Sequence, residues 1–525
     1  MSKRPVVVAM MTVAVVMSMV LVPRSGAGAG SPTPSTYCVG AAKADITPTA
    51  DMIATGHFYL GGYGIGPVHP AGSVLRDIYS RAIAFAVPNA DGTCPTGGPN
   101  QVVIAADDLQ GHFIAYQQGS YGFADVAAAV QSATAIPASQ ILAQSTHTHN
   151  GPDDLGIWGG VPTDYLAEVA SGTEHAILSA VAAEVPAHVS WATRDMTGFS
   201  GTFGPSDTSD NIGDTTDYPM DEQLRMLQAR SLSTGAVVAT LLNYSTHATV
   251  YGPLDKVSPD WPGAAATYLE GDQVGDAGTG FPGSVAVVTV GAMGHTWPAA
   301  IPSGKAAPDA PAGSDANAPA DSYGDAVAHQ GIEALAAGAT VLAGPAQVGG
   351  KSSSLTVVND NPLLLATLLV PTQTGYHVYR KETPPYGAVD ALITEAQFLR
   401  LGDLALMSAP GEPYPAIEAT MSKEVGAPVV FPFGLANDQL GYVEQLDDYN
   451  GAMQCSTTDE GFFTISPTFG NDFEMAQRKN AAALGFTVTD PGPVADANLG
   501  SVPPPTVCSV QQLQSTVQNP AGQVP

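Results

Sequence analysis

The sequence predicts an α/β fold: one large domain of mixed β-sheets flanked by helices, with long Gly/Pro-rich loops. Three observations predict it. Short apolar, β-branched runs alternate with stretches of helical periodicity along most of the chain. No Pro/Ser-rich linker cuts the 525 residues in half. The 57 glycines and 43 prolines call for many turns between elements.

Taken in order, Cys38 to Ile46, Ile78 to Val87 and Gln101 to Ala106 read as strands. The loop Leu60 to Pro67 is glycine-rich but lacks the spacing of a phosphate cradle, so close backbone packing or substrate approach is expected. Phe123 to Ala133 reads as a helix, Gln140 to Gln144 as a buried strand and Tyr165 to Glu184 as a second helix. Strands follow at His188 to Thr193, Val237 to His247 and Ser284 to Val290. Residues 299–322 are rich in Ala, Pro, Gly and Asp and read as an irregular insertion before a helix at Tyr323 to Ala337. The last third offers a strand at Asp403 to Met407, a helix at Ala416 to Val425 and a strand starting at Val429.

Composition excludes some functions. The chain is 44% hydrophobic, enough for a sizeable core, and carries −30 net charge from 48 acidic against 18 basic residues. Such a field opposes binding to nucleic acid and docking on an anionic membrane. Lys3 and Arg4 followed by the apolar run Val6 to Val22 read as a secretory signal, with 1–29 removed at Ala27-Gly28-Ala29. A secreted protein without an integral membrane segment is expected. The domain is placed at 30–490 and an extended tail at 491–525. Four cysteines in an exported chain suggest disulfides; the shortest loops pair Cys38 with Cys94 and Cys455 with Cys508.

The chemistry gathers at strand ends. Ser145-Thr146-His147-Thr148-His149-Asn150-Gly151-Pro152 follows a buried strand and breaks into a turn. On an extended backbone His147 and His149 project to one side. A second strand runs into His247, and a third into Pro410-Gly411-Glu412. A catalytic zinc needs three protein ligands and one open position, and two histidines with a carboxylate from separate strand ends meet that need. The water bound there would attack a carbonyl.

These motifs, in this order, resemble the neutral/alkaline ceramidase family. The resemblance rests on V-G-A-A-K-A-D-I-T-P (39–48), G-Y-G (62–64), S-T-H-T-H-N-G-P (145–152), N-Y-S-T-H (243–247), P-G-E (410–412) and G-L-A-N-x-x-x-G-Y-V (434–443). It implies a Zn2+ ion held by His147, His247, Glu412 and Tyr442, with His149 serving proton transfer or oxyanion stabilisation. It implies hydrolysis of an N-acyl amide, as in ceramide cleaved to sphingosine and a fatty acid, or of a related small-molecule or lipid amide. One segment departs from the family. Gly294-His295-Thr296-Trp297-Pro298 stands where the family carries a serine nucleophile, and Trp297 occupies the serine position. Thr296 is the neighbouring hydroxyl, and His295 is either a base or a structural residue. The alternative reading is a metal-binding scaffold or interaction protein that has lost turnover.

Overall fold

The structure is a computed structural model. It describes residues 33–489 apart from 65, 203–219, 272–279, 295, 302–303, 312–313, 316, 360, 362–390, 446–462 and 467. The signal segment expected at 1–29, Cys455, Cys508, His295 and the tail expected at 491–525 therefore lie outside the described residues.

Two mixed sheets form the centre. Strands β1 (Tyr37–Asp45), β2 (Tyr79–Ala86), β3 (Gln101–Asp107), β4 (Ile141–Ser145), β5 (Val185–Asp195), β6 (Gln223–Ser231), β7 (Val237–Tyr244) and β8 (Val285–Val290) lie in the order β8-β7-β6-β5-β1-β2-β3-β4. A short β9 (Thr340–Val341) also pairs with β5. The second sheet runs β10 (Val348–Val358), β11 (Ala391–Leu401), β12 (Leu404–Ser408), β13 (Val430–Phe433).

Alternation along the strands sets the layers. In β2, Ile83 and Phe85 face one core while Ala82 and Ala84 face another. In β7, Leu241 and Leu242 divide the same way. Both faces are buried, which is why these strands read as continuous apolar runs. The core between the sheets joins Ile83, Phe85 and Leu241 to Leu399, Leu406 and Phe431. Outside it, α1 (Phe123–Thr134) and α2 (Thr163–Ala182) cover β2–β4. Helices α3 (Asp260–Glu270) and α4 (Pro319–Gly338) cover β6–β8. Helices α5 (Pro415–Glu424) and α6 (Phe469–Ala483) cover the second sheet. Each large apolar side chain buried this way contributes about 1.5–3 kcal/mol.

Twist brings distant strand ends together. From β4 to β7 the ladder makes five antiparallel pairings and one parallel, so the two strands are formally antiparallel. Yet Thr148 and Ala248, just beyond them, form a parallel bridge. Six steps of about 20–25° rotate the sheet by roughly 120–150°, enough to turn the exit of β7 alongside that of β4.

Most predicted elements are present, and the irregular stretch gives way to α4 at Pro319, a proline suited to a helix start. Two expectations need correcting. The strands before the histidines stop early, at Ser145 and Tyr244, so the histidines lie on loops and not on extended strand. Strands β6, β10 and β11 and helices α3 and α6 were not foreseen.

The Cys38–Cys94 disulfide forms as expected and ties the start of β1 to the loop before β3 across 56 residues. Replacing both cysteines by serine should lower the unfolding free energy by about 4 kcal/mol in urea melts, the loop entropy of a cross-link of that span. A loss under about 1 kcal/mol would rule out that role.

Several acids are buried at strand and helix ends. Burial pushes Asp107 and Asp260 up to about 6 and Asp153 up to about 7. Folded values above the unfolded ones mean that the native state holds extra protons between about pH 4 and 7. Their contribution is complete at the acid end and fades as pH rises. The urea midpoint of metal-free protein should therefore be higher near pH 5 than near pH 7, and the opposite slope would contradict this assignment.

Candidate metal centre

The loop after β4 leaves the sheet by a sharp turn. Thr146 N donates to Asp107 O at 2.9 Å, and His147 takes a left-handed φ of 61°. That conformation is costly for a residue with a Cβ, and surrounding hydrogen bonds hold it. Thr148 Oγ1 donates to Ser258 O at 2.6 Å, and Leu254 N donates to Asn150 Oδ1 at 2.8 Å. The loop after β7 is fixed from the other side. Asp260 accepts from Val250 N and Tyr251 N, both at 3.0 Å, and Trp261 Nε1 donates to His247 O at 2.9 Å.

Glu412 arrives from the second sheet. Beyond β12 the chain runs through Gly411, where any Cβ would stand 2.2 Å from Gly441 O. Only glycine allows that approach, and it lets Glu412 pair in register beside Tyr442. His147, His149, His247, Glu412 and Tyr442 are all buried. Four of the five line one pocket, and His247 reaches the fifth position by its contact with Glu412.

The hydrogen bonds define the protonation. Carbonyl oxygens only accept, so His147 Nδ1, 2.8 Å from Gln110 O, and His247 Nδ1, 2.9 Å from Thr296 O, carry the protons. Nε2 of each ring then faces Glu412 Oε2, at 3.5 Å from His147 and 3.2 Å from His247. Three acceptors thus converge on one point, and something positive must sit among them: protons in the metal-free protein, or a cation in their place. Burial pushes the Glu412 carboxyl up, but the two histidines more than offset this and hold it well below the usual range. Gln439 Nε2 donates to Glu412 Oε1 at 3.0 Å and fixes its other oxygen.

His149 Nε2 lies 3.0 Å from His147 Nε2, and ligand atoms of His147, His149 and His247 all fall within 4.8 Å of one another. Tetrahedral zinc with bonds of about 2.0–2.1 Å separates its ligand atoms by roughly 3.3 Å, close to the 3.5 and 3.2 Å between Glu412 Oε2 and the His147 and His247 nitrogens. Burial, then the neighbouring His147 and His247, hold His149 well below the ordinary histidine range, so its ring is neutral. A Cβ on Gly62 would stand 2.3 Å from His149 Cγ, and Tyr63 packs edge-on against the same ring at 5.1 Å.

Above these groups is a pocket of about 40 Å³, room for a few waters. Its lining combines polar Gln110, Glu412 and Gln439 with apolar Leu155, Ile157, Trp158 and Phe463. The loop carrying Ile157 and Trp158 is fixed by Asp153, which accepts from Gly156 N, Trp158 N and Gly160 N at 2.7–2.9 Å.

Thr296 enters through its backbone. Its carbonyl accepts from both N and Nδ1 of His247, and its hydroxyl is buried with no hydrogen-bond partner. Gln110, Gln439 and Asp153 were not singled out from sequence. Gln439 lies inside the G-L-A-N-x-x-x-G-Y-V stretch, so its place in the motif was the available signal. Gln110 acts through a main-chain oxygen, which leaves no trace in residue type.

No protein-family model and no curated protein matches the chain. Solved structures do. Neutral ceramidase from Pseudomonas aeruginosa superposes with a TM-score of 0.64 at 18% identity, covering 86% of this chain and 75% of that one. A ceramidase complexed with C2 gives 0.62 at 17% identity, with the same 86% and 75% coverage. The chain has the neutral ceramidase fold.

Proposed function

We propose that the protein is a secreted, zinc-dependent hydrolase that cleaves the N-acyl amide of a lipid or similarly amphiphilic substrate. The observation that carries this reading is the convergence of His147 Nε2, His247 Nε2 and Glu412 Oε2 beside a pocket lined by both polar and apolar side chains. His147, His247, Glu412 and Tyr442 would hold the ion. Bound there, zinc supplies Lewis-acid polarisation of the acyl carbonyl and a water acidic enough to be a nucleophile near neutral pH. His149, neutral and 3.0 Å from His147 Nε2, stands beside the ligand set, where its ring would hold or move a proton during amide cleavage. The apolar lining residues Leu155, Ile157, Trp158 and Phe463 would receive the hydrocarbon part of the substrate. The products are a carboxylic acid and an amine, and no side-chain nucleophile enters the reaction. The Cys38–Cys94 disulfide agrees with an oxidising compartment.

The metal assignment predicts about one zinc per purified chain, lost in His147→Ala and in His247→Ala. His149→Ala should keep the zinc yet lower kcat on N-acyl amides about a hundredfold or more. Elemental analysis and hydrolysis of a fluorogenic ceramide and a short N-acyl amide check both. A protein that takes up no zinc ends this reading. Zinc-loaded protein inert toward both substrates supports the second reading, a metal-binding scaffold, which the presence of Trp297 against His247 favours.

A further inference from the structure

We infer that Trp297 is a positioning residue for His247, holding its ring in the plane that metal binding needs. The inference rests on the metal-centre reading above. The Trp297 and His247 rings are stacked, 4.3 Å apart and 5° from parallel. The same indole meets His149 edge-on at 6.0 Å. Trp297 belongs to the three-residue strand Thr296–Pro298, which pairs with Ser200–Thr202. That strand orients His247 twice. The Thr296 carbonyl, 2.9 Å from Nδ1, sets the rotation of the ring within its plane, and the indole sets the tilt of that plane.

The stack also responds to occupancy. Donation of the Nε2 lone pair to a cation leaves the imidazole electron-poor, and an electron-poor ring is held more strongly by the electron-rich face of an indole. A contact stronger in the loaded state than in the empty one raises metal affinity by linkage. A tryptophan that merely filled space would be indifferent to the ion.

Trp297→Leu keeps apolar bulk and removes the stack; Trp297→Phe keeps an aromatic face. Zinc affinity is measured by chelator competition, and the site is loaded separately with cobalt(II) for its visible spectrum. The leucine variant should bind zinc about tenfold more weakly and show an altered cobalt spectrum, with the phenylalanine variant close to wild type in both. The fluorescence change on zinc addition in wild type should be largely lost in Trp297→Phe, a readout that needs no folded leucine variant. Wild-type affinity and an unchanged cobalt spectrum in Trp297→Leu would overturn the inference, as would a zinc-dependent fluorescence change fully retained in Trp297→Phe. If wild type itself binds no metal, the metal-centre reading fails first, and the two failures are told apart by that control.

Discussion

The structure depends on one insertion: the segment 434–437 that continues β13 and fits between the two edges of the larger sheet. At one edge Asn437 clasps β4, donating N–H to Ala143 O at 2.7 Å and accepting from Ala143 N at 2.9 Å. At the other, Gly434 N donates to Val290 O at the end of β8 at 3.1 Å. Gln144 spans the gap, with Nε2 donating to Val290 O and to Gly434 O. Asn243 adds a bond to Pro432 O at 2.6 Å. These groups are buried, so breaking any one strands a donor or acceptor at about 1–3 kcal/mol. Strand edges that would otherwise face solvent are also covered. The exits of β4, β7 and β12 are thereby held at fixed spacing, and the metal-centre side chains sit on those exits.

That rigidity is what allows an electrostatically unfavourable centre. Lone pairs do not gather in a dry interior unless the backbone holds them there. Carbonyls of Gln110 and Thr296 fix the two imidazoles, and Gln439 fixes Glu412. Each support comes from a different loop, so the cost of assembly is spread over the whole fold. A cation bound there would meet side chains already held in place by these hydrogen bonds.

Legibility followed the same division. Strands β2, β3, β4, β7 and β8 are apolar runs buried on both faces, and they read clearly. Strand β10, V-G-G-K-S-S-S-L-T-V-V, is polar, glycine-containing and largely unburied, so nothing marked it. Strands β6 and β11 contain Gln, Leu, Arg, Met, Ala and Glu, good helix formers that tertiary pairing overrides. Helix α3 begins Asp-Trp-Pro-Gly, a turn signal by composition, and forms because Asp260 caps the loop at 250–251 and Trp261 is wholly buried. In the candidate site, histidines at strand ends could be read. The left-handed turn at His147 and the indole over His247 could not, since both arise from contacts distant in sequence.

This also explains why the motifs are individually weak and collectively informative. Each carries one side of a contact whose other side lies in another motif. G-Y-G is needed because Gly62 has no Cβ to strike His149. P-G-E is needed because Gly411 must pass Gly441 for Glu412 to lie beside Tyr442. The Asn of G-L-A-N is needed because its side-chain oxygen accepts from Ala143 N, on the strand before the histidines, while its main-chain N–H donates to Ala143 O. Alone, each is a glycine in a turn or an asparagine in a loop. Their meaning lies in their order along the chain, because the fold requires that order to close on one point.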